Sequence, residues 1–359
     1  MDGFSISILS KGRIDCLRTL LKSIYRECEV NPTVPTEVNL IDDSSDEERT
    51  VIEQLCRDYN FNYYYYKGSI AAKRNEAIRK AKYEVVWFVD SDCEPRDGVL
   101  KAYADAYKED SVDNVLGVVE FHGKKPFFWK LIEKSGFTTS FSFATFMDYA
   151  FWGPCANVCF RKKALEEIGG FKEEFPYDFS GEDVDIGLRL NKQGFHIKCC
   201  PNAVVYHNTK TWLSVLPFCR KIFRWGRTDY YLMRDHYDMT FPEYPRFVVV
   251  LILVCFMPFI PGVSSYMPIF FFLLVPMLDW LCRFFVRKTS IRDFIPFFFS
   301  FYLKQIFELG FVFESLKHLK VHYLFKKILY GTPQLSFEIS GRTSLSIATL
   351  VALLLSFFI

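Results

Sequence analysis

The sequence lacks features that would each indicate a particular class of protein. It has no basic excess, because 44 Lys and Arg stand against 42 Asp and Glu for a net charge of +2. We therefore do not expect a nucleic-acid-binding protein. Its 11 Cys contain no C-x-x-C pair, and neither Cys199-Cys200 nor Cys155 with Cys159 has the spacing of zinc ligands. We expect reduced thiols, so the polar part of the chain is predicted to face the cytosol.

The N-terminus also lacks the pattern of a signal peptide. Residues 1–13 read MDGFSISILSKGR, without a basic start, an apolar core and a small-residue cleavage site. Long apolar runs are missing from residues 1–210, which have the character of a soluble domain. From Phe247 onward, by contrast, Phe, Leu, Ile and Val dominate the chain. The composition therefore predicts a soluble first part and an apolar last part.

The first part alternates short apolar runs with amphipathic segments. The predicted strands are FSISILS, EVNLIDDSS, NYYYYKG and EVVWFVDSD. The predicted helices between them are IDCLRTLLKSIYREC, DEERTVIEQLCRDYN and SIAAKRNEAIRKAK. This alternation indicates parallel βαβ units and a doubly wound sheet. Ligands of such sheets bind beyond the carboxyl ends of the strands, where residues 10–13, 42–44 and 90–92 fall.

The last part contains candidate membrane segments. Residues 211–245 mix aromatic side chains with Arg and Lys, as helices lying in a membrane interface do. Residues 246–263, 266–282 and 344–359 are apolar and are predicted to span the membrane. The loop RFFVRKTSIRD, which follows the second of these segments, is basic and is expected on the cytoplasmic side.

Residues 294–316 form a further apolar segment whose position is harder to assign. The segment is long enough to span, but it carries Lys304, Gln305 and Glu308 near its centre. Charges at bilayer depth cost several kcal/mol or find protein partners. If the segment crossed the membrane, the basic stretch that follows would lie on the outer side. Basic loops favour the cytoplasmic side, so this counts against a span. We therefore predict an interfacial or re-entrant helix.

Two acidic motifs end predicted strands. Asp90 and Asp92 in WFVDSDCEP can direct oxygens to one point, as Mg²⁺ or Mn²⁺ requires, although acidic turns of this kind are also common. Asp42 and Asp43 form either a solvated turn or a cap for the helix that begins near Asp46. Two acidic strand ends on one sheet edge repel each other, which favours a compensating cation or donor.

The second half of the soluble part carries another acidic pair and a histidine. Glu182 and Asp183 in FSGEDVDIGLRL form either a capping cluster or a site for a general base. His207 ends the predicted strand IKCCPNAVVYHN, as a structural residue or as a metal or phosphate contact.

The basic aromatic stretch KIFRWGR also has two interpretations. Lys221, Arg224 and Trp225 could bind a diphosphate or an acceptor ring. They could equally anchor a helix at the membrane interface, where Trp and Arg are common.

The order of these motifs resembles that of the family 2 glycosyltransferases, which are inverting, metal-dependent enzymes with the GT-A fold. The resemblance is greatest to membrane-attached members, the relatives of cellulose and hyaluronan synthases, and it covers residues 4 to about 230. The matching stretches are FSISILSKGR, NLIDDSSDE, AAKRNEA, WFVDSDCEP, NVCFRKKALEEIGGF, GEDVDIGLRL and the RW of a Q-x-x-R-W-like motif.

The resemblance implies a particular domain order. Residues 1–210 would form an α/β GT-A nucleotide-sugar-binding domain with a Rossmann-like mixed sheet. Residues 211–245 would form amphipathic interface helices, and residues 246–359 a helical membrane region. The expected location is the cell membrane, with several spans and a cytoplasmic catalytic domain.

The resemblance also implies where the donor binds. Asp43 would contact the uracil or other base, with Asp42 and Ser10 in the same nucleotide-sugar site. Arg74 would lie beside the nucleotide, and Asp90 would contact the ribose.

The metal and catalytic groups are implied in the same way. Asp92 would ligate Mn²⁺ or Mg²⁺, with Asp90 and His207 completing the metal or diphosphate site. Asp183 would deprotonate the acceptor hydroxyl, with support from Glu182. A cation at Asp92 would stabilise the nucleoside diphosphate as it leaves.

Departures from the family pattern bear on the acceptor. Lys221 stands where processive enzymes carry Gln or Arg, Gly181 stands where they carry Thr, and Ser10-Lys11-Gly12 replaces a usual Thr/Ser-Tyr-Asn stretch. We also expect no membrane helices ahead of the catalytic part. These differences favour the addition of one or a few sugars, from a nucleotide-diphosphate sugar, to a lipid-linked or membrane-associated acceptor at the bilayer. The alternatives are a polyprenyl-phosphate sugar synthase and a non-catalytic scaffold.

Overall fold

The computed structural model describes most of the chain in two compact units. The residues described are 1–109, 111–174, 176–177, 180–242, 246–259, 265–287, 290–328, 348–349 and 351–352. The first unit comprises Met1–Lys124 and Thr139–Thr211, and the second comprises Lys125–Thr138 and Trp212–Ile359.

Strands and helices alternate along the first half of the chain, and helices dominate the second. The strands are β1 (Phe4–Ser10), β2 (Thr36–Asp42), β3 (Asn62–Tyr65), β4 (Val85–Asp90), β5 (Cys93–Pro95), β6 (Asn114–His122), β7 (Tyr149–Ala150), β8 (Asn157–Arg161), β9 (Ile197–Asn208), β10 (Thr240–Pro242) and β11 (Lys326–Ile328). The helices are α1 (Ile14–Val30), α2 (Asp46–Asp58), α3 (Ile70–Lys80), α4 (Val99–Ala106), α5 (Phe127–Ser135), α6 (Lys162–Glu167), α7 (Glu182–Lys192), α8 (Val215–Asp235), α9 (Phe247–Phe256), α10 (Met267–Arg287) and α11 (Phe294–Lys317).

The first unit is built on a mixed sheet with the strand order β3-β2-β1-β4-β8-β6-β9-β5, and β7 pairs with β9. The strands β3, β2, β1 and β4 are parallel. Helices provide the crossover connections that parallel strands require. β8 runs antiparallel to both β4 and β6, and β5 runs antiparallel to β9. The predicted mixed α/β sheet is confirmed: β1 to β4 form its parallel βαβ part, and β6 also runs parallel to β9.

Helix α2 shows how the sequence sets its own boundary. The Ser45 hydroxyl accepts a hydrogen bond from the Glu48 N–H at 3.4 Å, and the Glu48 carboxylate accepts one from the Ser45 N–H at 3.3 Å. This capping box satisfies two amide groups that a helix start leaves unpaired, and such caps contribute about 1 kcal/mol. The helix therefore begins at Asp46, as predicted.

In the second unit, α8 and α11 pack in close contact. A Cβ atom on Gly226 would lie 1.8 Å from the Phe307 carbonyl oxygen, and one on Gly310 would lie 2.1 Å from the Phe223 carbonyl oxygen. Because any larger side chain would collide with backbone, the two helices require glycine at both positions.

Within the described residues, two helices are long and apolar enough to cross a membrane, Met267–Phe285 and Ile291–Lys317, and a shorter apolar helix covers Phe247–Phe259. The first contains most of the predicted span 266–282, and the second contains the segment 294–316. The predicted span 246–263 is described only as far as residue 259. The predicted span 344–359 lies outside the described residues except at 348–349 and 351–352. The membrane positions of all these segments stay predictions.

Candidate functional site

The carboxyl ends of three parallel strands meet at one edge of the first unit's sheet. Ser10 at the end of β1 lies opposite Asp42 at the end of β2. On the other side of β1, Leu9 lies opposite Asp90 at the end of β4. The segments that follow these strands therefore share one edge, where doubly wound sheets bind their ligands.

The turn after β1 has an uncommon backbone. Gly12 and Arg13 both have positive φ, at 65° and 57°. Glycine adopts this left-handed region freely, whereas arginine does so at a cost of about 1 kcal/mol. The Gly12 N–H donates to the Ser44 hydroxyl oxygen at 2.7 Å, which ties the turn to the end of β2. The Ser10 hydroxyl is buried beside this turn and has no hydrogen-bond partner among the residues described.

Asp42 and Asp43 have different surroundings although they are neighbours. Asp42 is fully buried and accepts hydrogen bonds from the Tyr63 hydroxyl at 2.9 Å and the Ser44 hydroxyl at 2.5 Å. Asp43 instead pairs with two ammonium groups, Lys73 Nζ at 2.6 Å and Lys11 Nζ at 3.2 Å. Both oxygens of Asp42 thus accept hydrogen bonds from hydroxyl groups, whereas Asp43 forms ion pairs with lysine ammonium groups.

Asp92 lies between a guanidinium and an imidazole. Arg13 Nη1 donates to Asp92 Oδ2 at 2.8 Å, and His207 Nε2 lies 3.4 Å from Asp92 Oδ1. Pairing of β5 with β9 places Cys93 opposite His207. Ligand atoms of Asp92, Cys93 and His207 all lie within 4.8 Å of one another. The His207 Nδ1 atom contacts the Asn208 carbonyl oxygen at 3.1 Å, which directs Nε2 toward Asp92.

This cluster fits a divalent cation. Carboxylate oxygen and imidazole nitrogen are ligands that Mn²⁺ accepts, whereas a thiol suits softer metals. Burial raises the pKa of the Cys93 thiol well above its usual value, so the thiol stays protonated. Asp92 and His207 are therefore the groups of this cluster that could hold Mn²⁺ or Mg²⁺.

Asp90 is half-buried and, among the residues described, makes no ion pair. Desolvation raises the pKa of its carboxyl, Arg74 acts in the opposite direction, and the charge of Asp92 raises the pKa further. An acid in this state gains from any nearby cation or hydrogen-bond donor.

Helix α7 supplies the acids on the far side of the site. It begins after Gly181, whose φ of 79° makes the turn into the helix. Burial raises the pKa of the Asp183 carboxyl to about 7, the charge of Glu182 adds to this, and Arg74 opposes it. Asp183 Oδ1 accepts a hydrogen bond from the Val184 N–H at 2.9 Å. Asp90 also contributes to the Asp183 shift, so the two acids are close enough to interact electrostatically.

Arg74 connects this helix to the sheet edge. Its guanidinium donates to Glu182 Oε1, and its Cζ atom lies 5.4 Å from the centroid of the Phe171 ring. Both Arg74 and Glu182 are buried. The second oxygen of Glu182, Oε2, is buried without a hydrogen-bond partner in the described part of the chain. Arg74 therefore lies with the α7 acids.

The predicted site residues of the first unit gather at one edge of its sheet. They are Ser10, Asp42, Asp43, Arg74, Asp90, Asp92, Glu182, Asp183 and His207. The other three lie on α8 in the second unit, where Lys221 Nζ is 4.0 Å from the centroid of the Trp212 ring and 5.1 Å from that of Trp225. The contribution of Lys221, Arg224 and Trp225 to the site stays a prediction.

Sequence reasoning missed three cations of the site, Lys11, Arg13 and Lys73. Lys11 and Arg13 belong to the segment 10–13, which is predicted at a strand end, and this position is the signal that could have identified them. Lys73 precedes Arg74 on α3 and is buried, and lysine is almost never buried unless it is paired. Nothing in the sequence identifies the acid that each of them contacts.

Comparison with known proteins identifies the domain. Residues 5–169 match the model of "Glycosyl transferase family 2". The chain carries a family 2 glycosyltransferase domain. The resemblance stated from the motifs is thereby confirmed. The matched region includes the strand-end acids of the family 2 domain and ends before Glu182, Asp183 and His207.

The chain is also similar to curated proteins and to solved structures. The O-antigen biosynthesis protein RfbC of Myxococcus xanthus is 29% identical over 233 residues, which is 57% of this chain and 17% of the relative. The chondroitin synthase of Escherichia coli is 28% identical over 250 residues, 58% of this chain and 35% of the relative. The chain thus spans about a third or less of these relatives. Among solved structures, S. aureus TarS 1-349 covers 88% of this chain and 91% of its own at 16% identity, with a TM-score of 0.45.

Proposed function

We propose that this family 2 domain is an inverting glycosyltransferase. It moves a sugar from a nucleotide-diphosphate sugar, with a UDP-sugar favoured, to an acceptor at the cytoplasmic membrane face in one or a few additions. The observation that carries the proposal is Asp183, a half-buried carboxyl whose pKa is raised to about 7. A general base works best when its pKa lies near the operating pH.

The donor is assigned to the strand-end side of the site. Asp43 contacts the base, Asp90 contacts the ribose, and Arg74 lies beside the nucleotide while it holds Glu182. Asp92 and His207 would hold Mn²⁺ or Mg²⁺, which supplies positive charge against the departing diphosphate.

The acceptor is assigned to the α7 side. Asp183 takes the proton from the acceptor hydroxyl, so that the oxygen attacks the anomeric carbon opposite the leaving group and inverts its configuration. Glu182 acts as a positioning residue through its ion pair with Arg74. Lys221, Arg224 and Trp225 contact the acceptor or the diphosphate.

The proposed domain order is a catalytic part at 1–210, interface helices at 211–245 and a membrane region at 246–359. Support comes from the two apolar helices that are long enough to cross a membrane. This arrangement would hold a lipid-linked or membrane-associated acceptor at the bilayer, with the catalytic part in the cytosol.

The experiment is a screen of nucleotide sugars for hydrolysis or transfer with the purified full chain. We expect one sugar nucleotide to react with Mn²⁺ or Mg²⁺ present and EDTA to stop the reaction. Asp105→Asn, which changes an exposed acid on α4, is the matched control for substitutions at the site such as Asp183→Asn. If none of the nucleotide sugars reacts, the result contradicts the proposal and supports a non-catalytic scaffold.

A polyprenyl-phosphate sugar synthase is the second candidate, and α8 provides the observation in its favour. Arg220 and Arg224 are exposed one helical turn apart, and no acidic side chain among the described residues pairs with either. Leu216, one turn earlier, is also exposed. This combination suits a lipid phosphate at an interface.

The two candidates differ in their need for a base. A phosphate acceptor is already ionised at neutral pH, so Asp183→Asn would retain transfer to it. Transfer to a hydroxyl acceptor needs the base, so the same variant would lose that activity. Label from the nucleotide sugar in an organic-extractable, mild-acid-labile product would identify the phosphate acceptor.

A further inference from the structure

We propose that Arg13 is a counter-ion for Asp92 in the metal-free protein and binds the diphosphate of the donor once a cation takes its place. This inference rests on the proposed metal site at Asp92. It gives Arg13 a role in coupling the binding of metal to the binding of nucleotide.

The two ends of the Asp92 carboxylate have unlike neighbours. Oδ1 faces the buried imidazole of His207 at 3.4 Å, and Oδ2 accepts from Arg13 at 2.8 Å. The side chain of Asp92 is 5% exposed, whereas that of Arg13 is 52% exposed. The guanidinium therefore approaches the acid from the solvent side, and it can leave without opening the core.

The backbone keeps Arg13 at the entrance of the site after its side chain leaves. Gly12 and Arg13 are consecutive left-handed residues between β1 and α1, and the Gly12 N–H is bonded to Ser44. A non-glycine residue persists in this conformation only where its surroundings hold it there, and such residues cluster at ligand sites. The turn thus fixes the Cα of Arg13 at the strand edge.

A divalent cation at Asp92 and the Arg13 guanidinium compete for one carboxylate. Like charges in one site repel, and from this repulsion we infer that Arg13 turns away from Asp92 when the cation binds. A guanidinium is a planar fork that matches two phosphate oxygens and stays charged at all relevant pH values. A diphosphate beside the cation offers Arg13 the replacement partner. We therefore expect the cation to bind weakly alone and tightly together with a nucleoside diphosphate.

The test measures Mn²⁺ binding by the full chain in detergent, from the loss of the free Mn²⁺ signal in electron paramagnetic resonance, without and with UDP. In Arg13→Gln the competing charge is gone. We expect Mn²⁺ alone to bind about twofold to fivefold more tightly than in the parent protein, in keeping with the strength of a partly exposed ion pair. The tightening of Mn²⁺ binding by UDP should fall by about tenfold or more.

Two further variants control the experiment. Arg26→Gln removes another guanidinium of α1, whose Nη2 lies 2.8 Å from an Asp97 oxygen at the surface, and should leave both affinities unchanged. Arg13→Lys keeps the charge and loses the fork, so Mn²⁺ alone should bind as in the parent while the effect of UDP is reduced. This variant carries the test if Arg13→Gln does not fold.

The outcomes separate this inference from the function on which it rests. Equal Mn²⁺ affinities and an equal UDP effect in the parent, Arg13→Gln and Arg13→Lys would overturn the role of Arg13 and leave the metal site standing. A parent protein that binds no Mn²⁺, even with UDP, would overturn the proposed metal site itself.

Discussion

Asp183 in the first unit is a half-buried helix acid and Glu314 in the second is a fully buried one, but they differ more in their partners than in their burial. Glu314 is fully buried, and its oxygens accept from Arg227 Nε at 2.7 Å and the Tyr231 hydroxyl at 2.8 Å. Asp183 accepts from the Val184 N–H and, within the described residues, forms no ion pair. An acid in an ion pair between two helices stabilises their packing, whereas an acid without an ion pair can take part in catalysis.

A second pair of acids shows the same contrast. Glu308, one of the charges that argued against a span at 294–316, is paired with Arg246 and lies 3.7 Å from Lys327 Nζ. Asp90 at the end of β4 has no such partner among the described residues, and burial raises the pKa of its carboxyl. The comparison therefore predicts catalytic losses in the first unit and losses of stability in the second.

The largest effect is expected from Asp183→Asn. The amide keeps the shape of the side chain and cannot accept the proton, so the transfer rate should fall by about 10²- to 10⁴-fold. Initial rates at saturating nucleotide sugar measure this. The melting temperature should not fall, since no ion pair is lost. Unchanged turnover would remove Asp183 from its assigned role.

Glu314→Gln should act on stability instead. It leaves Arg227 without the charge that it contacts at 2.7 Å, and breaking a buried ion pair costs about 3 kcal/mol. Thermal unfolding in detergent should show a clearly lower melting temperature, while the rate per folded molecule is retained. A variant as stable as the parent would mean that the Glu314 network contributes little to the packing of α8 against α11.

We expect the change of the transfer rate with pH to be smaller than the loss in Asp183→Asn, and we assign it to the titration of Asp183. The pKa of its carboxyl is raised to about 7, so the group is protonated and inactive as a base below that pH. The rate should fall about tenfold for each pH unit below the pKa and level off above it. The residual rate of Asp183→Asn should lack this slope. An equal slope in the variant would assign the titration to another group.

The smallest effect is expected from Asp105→Asn on α4. Hydrogen bonds from Lys101 and Lys108 lower the pKa of this exposed carboxyl to about 2, yet solvent screens the pairs. Neither the transfer rate nor the melting temperature at pH 7 should change measurably. A clear change in either would show that the number of ionic partners, without burial, is enough to make an acid matter in this protein.

Local patterns in the sequence were enough to predict the first four strands and the acids that follow them. Apolar runs and helical spacing act over a few positions, so they can be read along the chain. The antiparallel placement of β8 between β4 and β6 could not be read in this way. It depends on pairing between distant segments. The grouping of residues 125–138 with the second unit has the same origin.

The sequence by itself determined which acids stand at the strand ends and that a family 2 pattern connects them. Only the tertiary structure decided what each acid contacts. The ion pairs join residues that are far apart in the sequence. Arg13 and Asp92 are separated by 79 positions, Lys73 and Asp43 by 30, and Arg74 and Glu182 by 108. The physical reason is that an ion pair depends on distance in space and on burial, and neither is encoded in the spacing of residues along the chain.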